Sequence, residues 1–161
     1  MPKGQPSPDI AGAGLSAPRR FDEIAIGANG AEVRRASQWL ITACQQRDVP
    51  QAPVDRLLLC LNEALANVIA YGGSAAPAAP IGLRLEVGFD RDSRNASVTV
   101  SDSGLAFDPL SVPKKVLPKS LAEASPGGLG LVVMRRCSDW LQYRREDGHN
   151  HLTFGVRWDP S

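Results

Sequence analysis

Glu63 and Asn67 stand four residues apart in the stretch Glu63-Ala-Leu-Ala-Asn67. On a helix that spacing places both side chains on one face, one turn from each other. A carboxylate there can polarise an attacking hydroxyl or water as general base, and an amide oxygen one turn away can ligate a hard cation such as magnesium. By itself such a pair is more often the solvated or cap-like side of an amphipathic helix. Two further segments give it a context. Asp102-Ser-Gly104-Leu-Ala-Phe107-Asp108-Pro109 follows an alternating strand whose parity sets Asp102 on the apolar face with Val98 and Val100. A carboxylate at the end of a buried face needs a partner, and the exocyclic amine of a base such as adenine offers one. Gly104 lets another group approach the backbone closely, and Phe107 is a natural pocket wall. Gly127-Gly128-Leu129-Gly130-Leu131 directly precedes a helix, where free backbone N–H groups and the helix dipole favour an anion. It is neither the Gly-x-x-x-x-Gly-Lys-Ser/Thr loop nor a Gly-x-Gly-x-x-Gly after the first strand, so both common nucleotide folds are disfavoured.

The elements that must position these residues are legible from periodicity. Arg20 to Ile26 reads as a short strand, broken by Gly27-Ala-Asn-Gly30. Ala31 to Arg47 carries Val33, Ala36, Leu40 and Ala43 at helical spacing. Pro53 opens a second helix running to about Tyr71, with Leu57, Leu58, Leu61, Leu65, Val68 and Ile69 as its apolar face. Ile81, Leu83, Leu85, Val87 and Phe89 alternate with Gly82, Arg84, Glu86 and Gly88, the period-two pattern of a strand with one buried face. Asp90 to Asn95 is expected to turn into the strand that ends at Asp102. Pro109 to Pro126, with three lysines at 114, 115 and 119, is expected to be a lid over the site. A helix then runs to about Cys137. Trp140 to Arg145 and His151 to Trp158 form a hairpin around Asp147-Gly148, with Leu152, Phe154, Val156 and Trp158 on one face. The resulting fold class is α+β: a two-layer α/β sandwich whose mostly antiparallel mixed sheet is covered on one face by helices.

Composition bounds the function classes. The chain has 161 residues, 43% of them hydrophobic and 22% charged, the balance of a globular domain able to bury about 70% of its unfolded surface. A net charge of +1 predicts no direct nucleic-acid binding and no attraction to an anionic membrane. Cys44, Cys60 and Cys137 are widely spaced, without a Cys-x-x-Cys pair, and read as reduced core thiols. Residues 1–18 are rich in Pro, Gly and Ala and lack a long apolar core, so they are expected to be a disordered tail, neither a secretory signal nor a membrane span. Residues 19–161 are expected to form a single domain in a cytoplasmic protein.

Taken together, the three segments resemble the Bergerat-fold (GHKL-type) ATPases, the superfamily of gyrase, histidine kinases, heat-shock chaperone ATPases and mismatch-repair ATPases. The similarity is greatest to the branch of anti-sigma factor serine/threonine protein kinases and runs from about Phe21 to Trp158. That resemblance implies ATP and Mg2+ as cofactors, with Glu63 as general base and Asn67 as magnesium ligand. It further implies Asp102 as the adenine contact beside Gly104 and Phe107. Gly127, Gly128, Leu129, Gly130 and Leu131 would form the phosphate loop. It implies as partners a sigma factor and a small anti-sigma factor antagonist of the STAS type, with possible homodimerisation. Ala70 and Tyr71 depart from the family pattern, in which a basic residue and a histidine often follow the asparagine. A nucleotide-dependent binding module without turnover and a detached histidine-kinase-type ATPase domain remain alternatives. The latter lacks a phosphoacceptor-histidine helix pair, since His149 and His151 fall at the hairpin turn.

Overall fold

The computed structural model describes residues 21–71, 79–106, 108–111 and 128–160. Among the described residues, five strands and three helices follow in the order β1 (Phe21–Ile26), α1 (Gly30–Gln45), α2 (Gln51–Tyr71), β2 (Ile81–Asp90), β3 (Ser93–Asp102), α3 (Gly128–Cys137), β4 (Trp140–Glu146) and β5 (His149–Trp158), with a 3-10 turn at Pro109–Ser111 after β3. The expected tail, the rest of the expected lid, Phe107 and Gly127 lie outside the described residues.

The sheet order is β1-β2-β3-β5-β4. All four neighbouring pairs are antiparallel, so the sheet contains no parallel pair among the described strands. Two tight hairpins account for two of the pairings. β2 and β3 are joined by Arg91 and Asp92, which is shorter than the turn over Asp90–Asn95 that the sequence suggests, because Ser93 already pairs with Asp90. β4 and β5 are joined by Asp147 and Gly148, both at positive φ (52° and 76°), the backbone that an Asp-Gly pair favours and that matches the strand twist.

One face of the sheet carries the core. Ile81, Leu83 and Leu85 of β2, Val98 and Val100 of β3, and Phe154 and Val156 of β5 are buried against Leu40 of α1 and Leu57, Leu61 and Leu65 of α2. α2 lies centrally, touching α1, α3, β3 and β5. Two expected core residues are outside it. Ile69 is 41% exposed near the end of α2, and Phe89 is 75% exposed at the β2–β3 tip, with the Arg94 guanidinium 5.1 Å from its ring centroid. The opposite sheet face is polar. It pairs Thr99 with Thr153 (2.8 Å) and Ser101 with His151 Nδ1 (2.7 Å), and holds Arg84 against Glu86 (3.1 Å).

Local chemistry fixes the helix ends. Asn29 Oδ1 caps α1 by accepting from the Glu32 N–H (3.0 Å), while the Glu32 carboxylate accepts from the Gly27 N–H (3.0 Å). Pro53 sits in the first turn of α2, where its missing N–H has no helical acceptor to lose. At the far end of α3, Asp139 ties three elements together. Its carboxylate accepts from Arg56 of α2 (2.9 Å) and from the Arg157 N–H of β5 (2.6 Å). Among the described residues no helix is long and apolar enough to cross a membrane.

Candidate functional site

A pocket opens between α2 and the helix-covered face of the sheet. It is lined by Ala64, Asn67 and Val68 of α2, Val100 and Asp102 of β3, Leu105 and Pro109 of the following loop, and Tyr143, Asn150 and Leu152 of β4 and β5. Asn67 and Asp102, 35 positions apart in the chain, therefore line one cavity. Its walls are apolar, with few polar groups among them, the make-up of a small-molecule site.

Each side chain is placed by its element. Asn67 follows the buried Ala64 and Leu65 by less than a turn, which sets it at the rim of the helix's apolar face, half-buried. Among the described residues its amide has no hydrogen-bond partner. Asp102 ends β3 in step with Val98 and Val100, as parity requires. Its Oδ1 accepts from the Gly104 N–H (2.9 Å) and from Asn150 Nδ2 (3.2 Å). No described group donates to Oδ2, so one oxygen of the carboxylate is committed to the protein and the other is left as an acceptor. Gly104 is buried and sits beside the cavity wall, contributing through its backbone.

Glu63 lies one helical turn before Asn67, half-buried, against the first turn of α3. A Cβ built on Gly130 would stand 2.5 Å from Glu63 Oε2. Glycine at 130 is thus what allows the carboxylate to lie against α3. Gly128 and Leu129 form the start of that helix, and Leu131 is buried at 8% exposure. Glu63 and Asn67 are one turn apart on α2, and the N-terminal turn of α3 packs against Glu63. The backbone N–H groups of such a turn are short of helical acceptors.

Three residues that the sequence reading passes over belong to this site. Asn150, 6% exposed, is the one buried polar or charged side chain among the described residues. Tyr143 Oη and Arg145 donate to its Oδ1 (2.6 and 2.9 Å), and Arg145 also donates to the Gly104 carbonyl (3.2 Å). The signal was available in parity. Asn150 falls in the same alternation as Leu152, Phe154 and Val156, so an amide there stands on the apolar face. Pairing then puts it between Asp102 on β3 and Arg145 on β4.

Comparison with known proteins gives the family and the fold. Residues 26–156 match the family described as histidine kinase-like ATPase domain. The serine/threonine-protein kinase BtrW of Bordetella bronchiseptica is 39% identical over 97 residues, covering 60% of this chain and 66% of that protein, just under two thirds of its length. Among solved structures, the RsbU and RsbW domains of a Mycobacterium tuberculosis protein superpose with a TM-score of 0.62 at 13% identity, over 88% of this chain and 33% of the other. A chain of the SiaB-SiaC complex from Pseudomonas aeruginosa gives 0.54 at 13% identity, over 87% and 92%. These two likenesses concern the fold. With the family match spanning most of the chain, from the last residue of β1 to the core of β5, the protein belongs to the histidine kinase-like (GHKL-type) ATPase domain family.

Proposed function

We propose that this chain is a serine/threonine protein kinase of the anti-sigma factor type, which binds ATP with magnesium between α2 and the sheet. In this reading it sequesters a sigma factor and phosphorylates a serine or threonine of a small antagonist protein of the STAS type. The observation that carries the proposal is the convergence of Asn67 and Asp102 on one pocket, with Glu63 one turn along α2 against the glycine-bearing first turn of α3. Its kinship to a serine/threonine kinase supports the choice of a protein hydroxyl as acceptor.

In this mechanism Asp102 reads the base: Oδ2 accepts from the adenine amine while Oδ1 stays held by Gly104 and Asn150. Val100, Leu105 and Leu152 enclose the ring. Residues of the first turn of α3, Gly128 to Gly130, present backbone N–H groups to the phosphates. Magnesium, when bound, neutralises phosphate charge and needs only one or two protein ligands. The Asn67 amide oxygen, unpartnered among the described residues, is a hard donor suited to that role. Glu63 orients the incoming hydroxyl and takes its proton. The hydroxyl oxygen forms the new bond to the γ-phosphorus, the bond from that phosphorus to the bridging oxygen breaks, and ADP leaves with the electron pair. Catalysis is then positioning plus electrostatic stabilisation.

The test is incubation with γ-labelled ATP and antagonist proteins encoded beside sigma factors in the source genome. Label on a serine or threonine is expected, and Glu63→Ala should abolish it while leaving ATP affinity intact. ATP binding with no labelled acceptor would instead favour a nucleotide-dependent binding module. Light scattering of the purified protein tests homodimerisation, for which the edge strands β1 and β4 are available.

A further inference from the structure

We infer that Asn150 is a positioning residue that makes Asp102 a one-sided acceptor and thereby sets the pocket's preference for a 6-amino purine. The inference rests on the nucleotide reading above and adds to it the device by which the base is discriminated.

The orientation of the Asn150 amide is forced by its neighbours. Tyr143 Oη and the Arg145 guanidinium meet one end of it, and a guanidinium can only donate, so that end is the oxygen. The other end meets Asp102 Oδ1 (3.2 Å) and the Leu105 carbonyl (2.8 Å), both acceptors, so it is the NH2 group. All four of these bonds are made within the protein, leaving Asn150 with no evident capacity to bind a base directly. Its effect is exerted through Asp102 and through the loop. Two donors on Oδ1, from Gly104 and Asn150, fix the rotation of the carboxylate and leave Oδ2 as the acceptor at the pocket. The bonds from Asn150 to Leu105 and from Arg145 to Gly104 hold the loop that walls the same pocket. A purine presenting an amine can donate to Oδ2, whereas one presenting a carbonyl oxygen at that position meets a fixed acceptor with another acceptor.

The probes are ATP and inosine triphosphate, in which a 6-carbonyl acceptor replaces the 6-amino donor and N1 carries a hydrogen. Binding of each to the full-length wild type, Asn150→Leu and Tyr143→Phe is measured by titration calorimetry, with circular dichroism to verify folding. The wild type should prefer ATP. In Asn150→Leu, ATP binding should weaken about tenfold, the effect of losing one well-placed hydrogen bond, while inosine triphosphate stays within about twofold, so discrimination collapses. Tyr143→Phe keeps Asn150 but removes one of its two orienting donors, and should lower the ratio by roughly threefold. It carries the test if Asn150→Leu fails to fold. Equal weakening of both nucleotides would assign Asn150 a merely structural role and overturn the inference. An unchanged ratio in the folded variants would overturn it as well. A wild type without preference for ATP would instead defeat the adenine-site reading on which the inference stands.

Discussion

Replacing Gly130 by alanine should separate stability from catalysis, because the two respond in opposite directions to one methyl group. The new Cβ would lie 2.5 Å from Glu63 Oε2, 3.5 Å from Glu63 Cδ and 3.7 Å from Glu63 Cβ, and ordinary contact begins near 3.4 Å. The conflict is therefore with the tip of a flexible side chain. Relieving it requires the carboxylate oxygen to retreat by about 0.9 Å, the difference between those separations, which a modest rotation of the half-exposed Glu63 supplies. Alanine also favours the helical conformation of α3 by up to ~1 kcal/mol relative to glycine. The folded state should then be unchanged or slightly more stable. Catalysis should not be: displacing a reacting group by about 1 Å can cost ~100-fold in rate. The added methyl points at Glu63, so ATP affinity should hold within about threefold while γ-phosphoryl transfer falls by ~10 to 100-fold. Urea denaturation, ATP titration and single-turnover transfer measure the three quantities separately. A transfer rate within about twofold of wild type, in a variant that binds ATP normally, would show that Glu63 does not act from the position held open by Gly130. A loss of more than ~1 kcal/mol of stability would show that the first turn of α3 is packed against something less yielding than Glu63.

Other consequences follow from contacts outside the pocket. Asp139→Ala removes the acceptor shared by Arg56 and the Arg157 N–H; both side chains of the ion pair are about one-third exposed, so the expected loss is modest, about 1–2 kcal/mol by urea denaturation. Partial burial pushes the Asp139 carboxyl up, but the Arg157 N–H and the Arg56 guanidinium together outweigh it and hold the carboxyl below its ordinary value of 3.8. Its contribution is thus complete above about pH 4 and lost as pH falls through the lower folded value, and Asp139→Asn should flatten that segment of the stability curve. Burial pushes the Cys44 thiol up to about 11 and the Cys60 thiol up to about 12, so at pH 8 about one in a thousand or fewer is a thiolate. Iodoacetamide should label the half-buried Cys137 first, as read by peptide mass spectrometry, and equal labelling of all three would refute that order.

Periodicity made most of the fold legible. The alternation from Ile81 onward and the leucine face of α2 required no tertiary information, since each element buries one side. The errors fall where burial fades. Phe89 continues the apolar alternation of β2 but sits at a hairpin tip beyond the reach of the helices, and Ile69 lies near the end of α2, past the helix's closest packing. The sheet's pairing order could not be read locally, because β3 lies between β2 and the late strand β5. The same long-range pairing conceals much of the site. Glu63, Asn67, Asp102 and Gly130 drew notice as residue types at telling positions, whereas Asn150 looked like part of a turn. Only register, with Asp102 opposite Asn150 and Asn150 opposite Arg145, reveals a polar row across three strands. The approach of Gly130 to Glu63 likewise depends on how α3 packs on α2.

Where a nucleotide sits decides the role of each pocket residue. A crystal structure of the protein with magnesium and a non-hydrolysable ATP analogue tests this most directly. The adenine amine is expected about 3 Å from a carboxylate oxygen of Asp102, with the triphosphate running past Asn67 toward the first turn of α3 and the γ-phosphate facing Glu63. A nucleotide seated elsewhere, or one whose base leaves Asp102 untouched while the pocket between α2 and β3 stays empty, would contradict it.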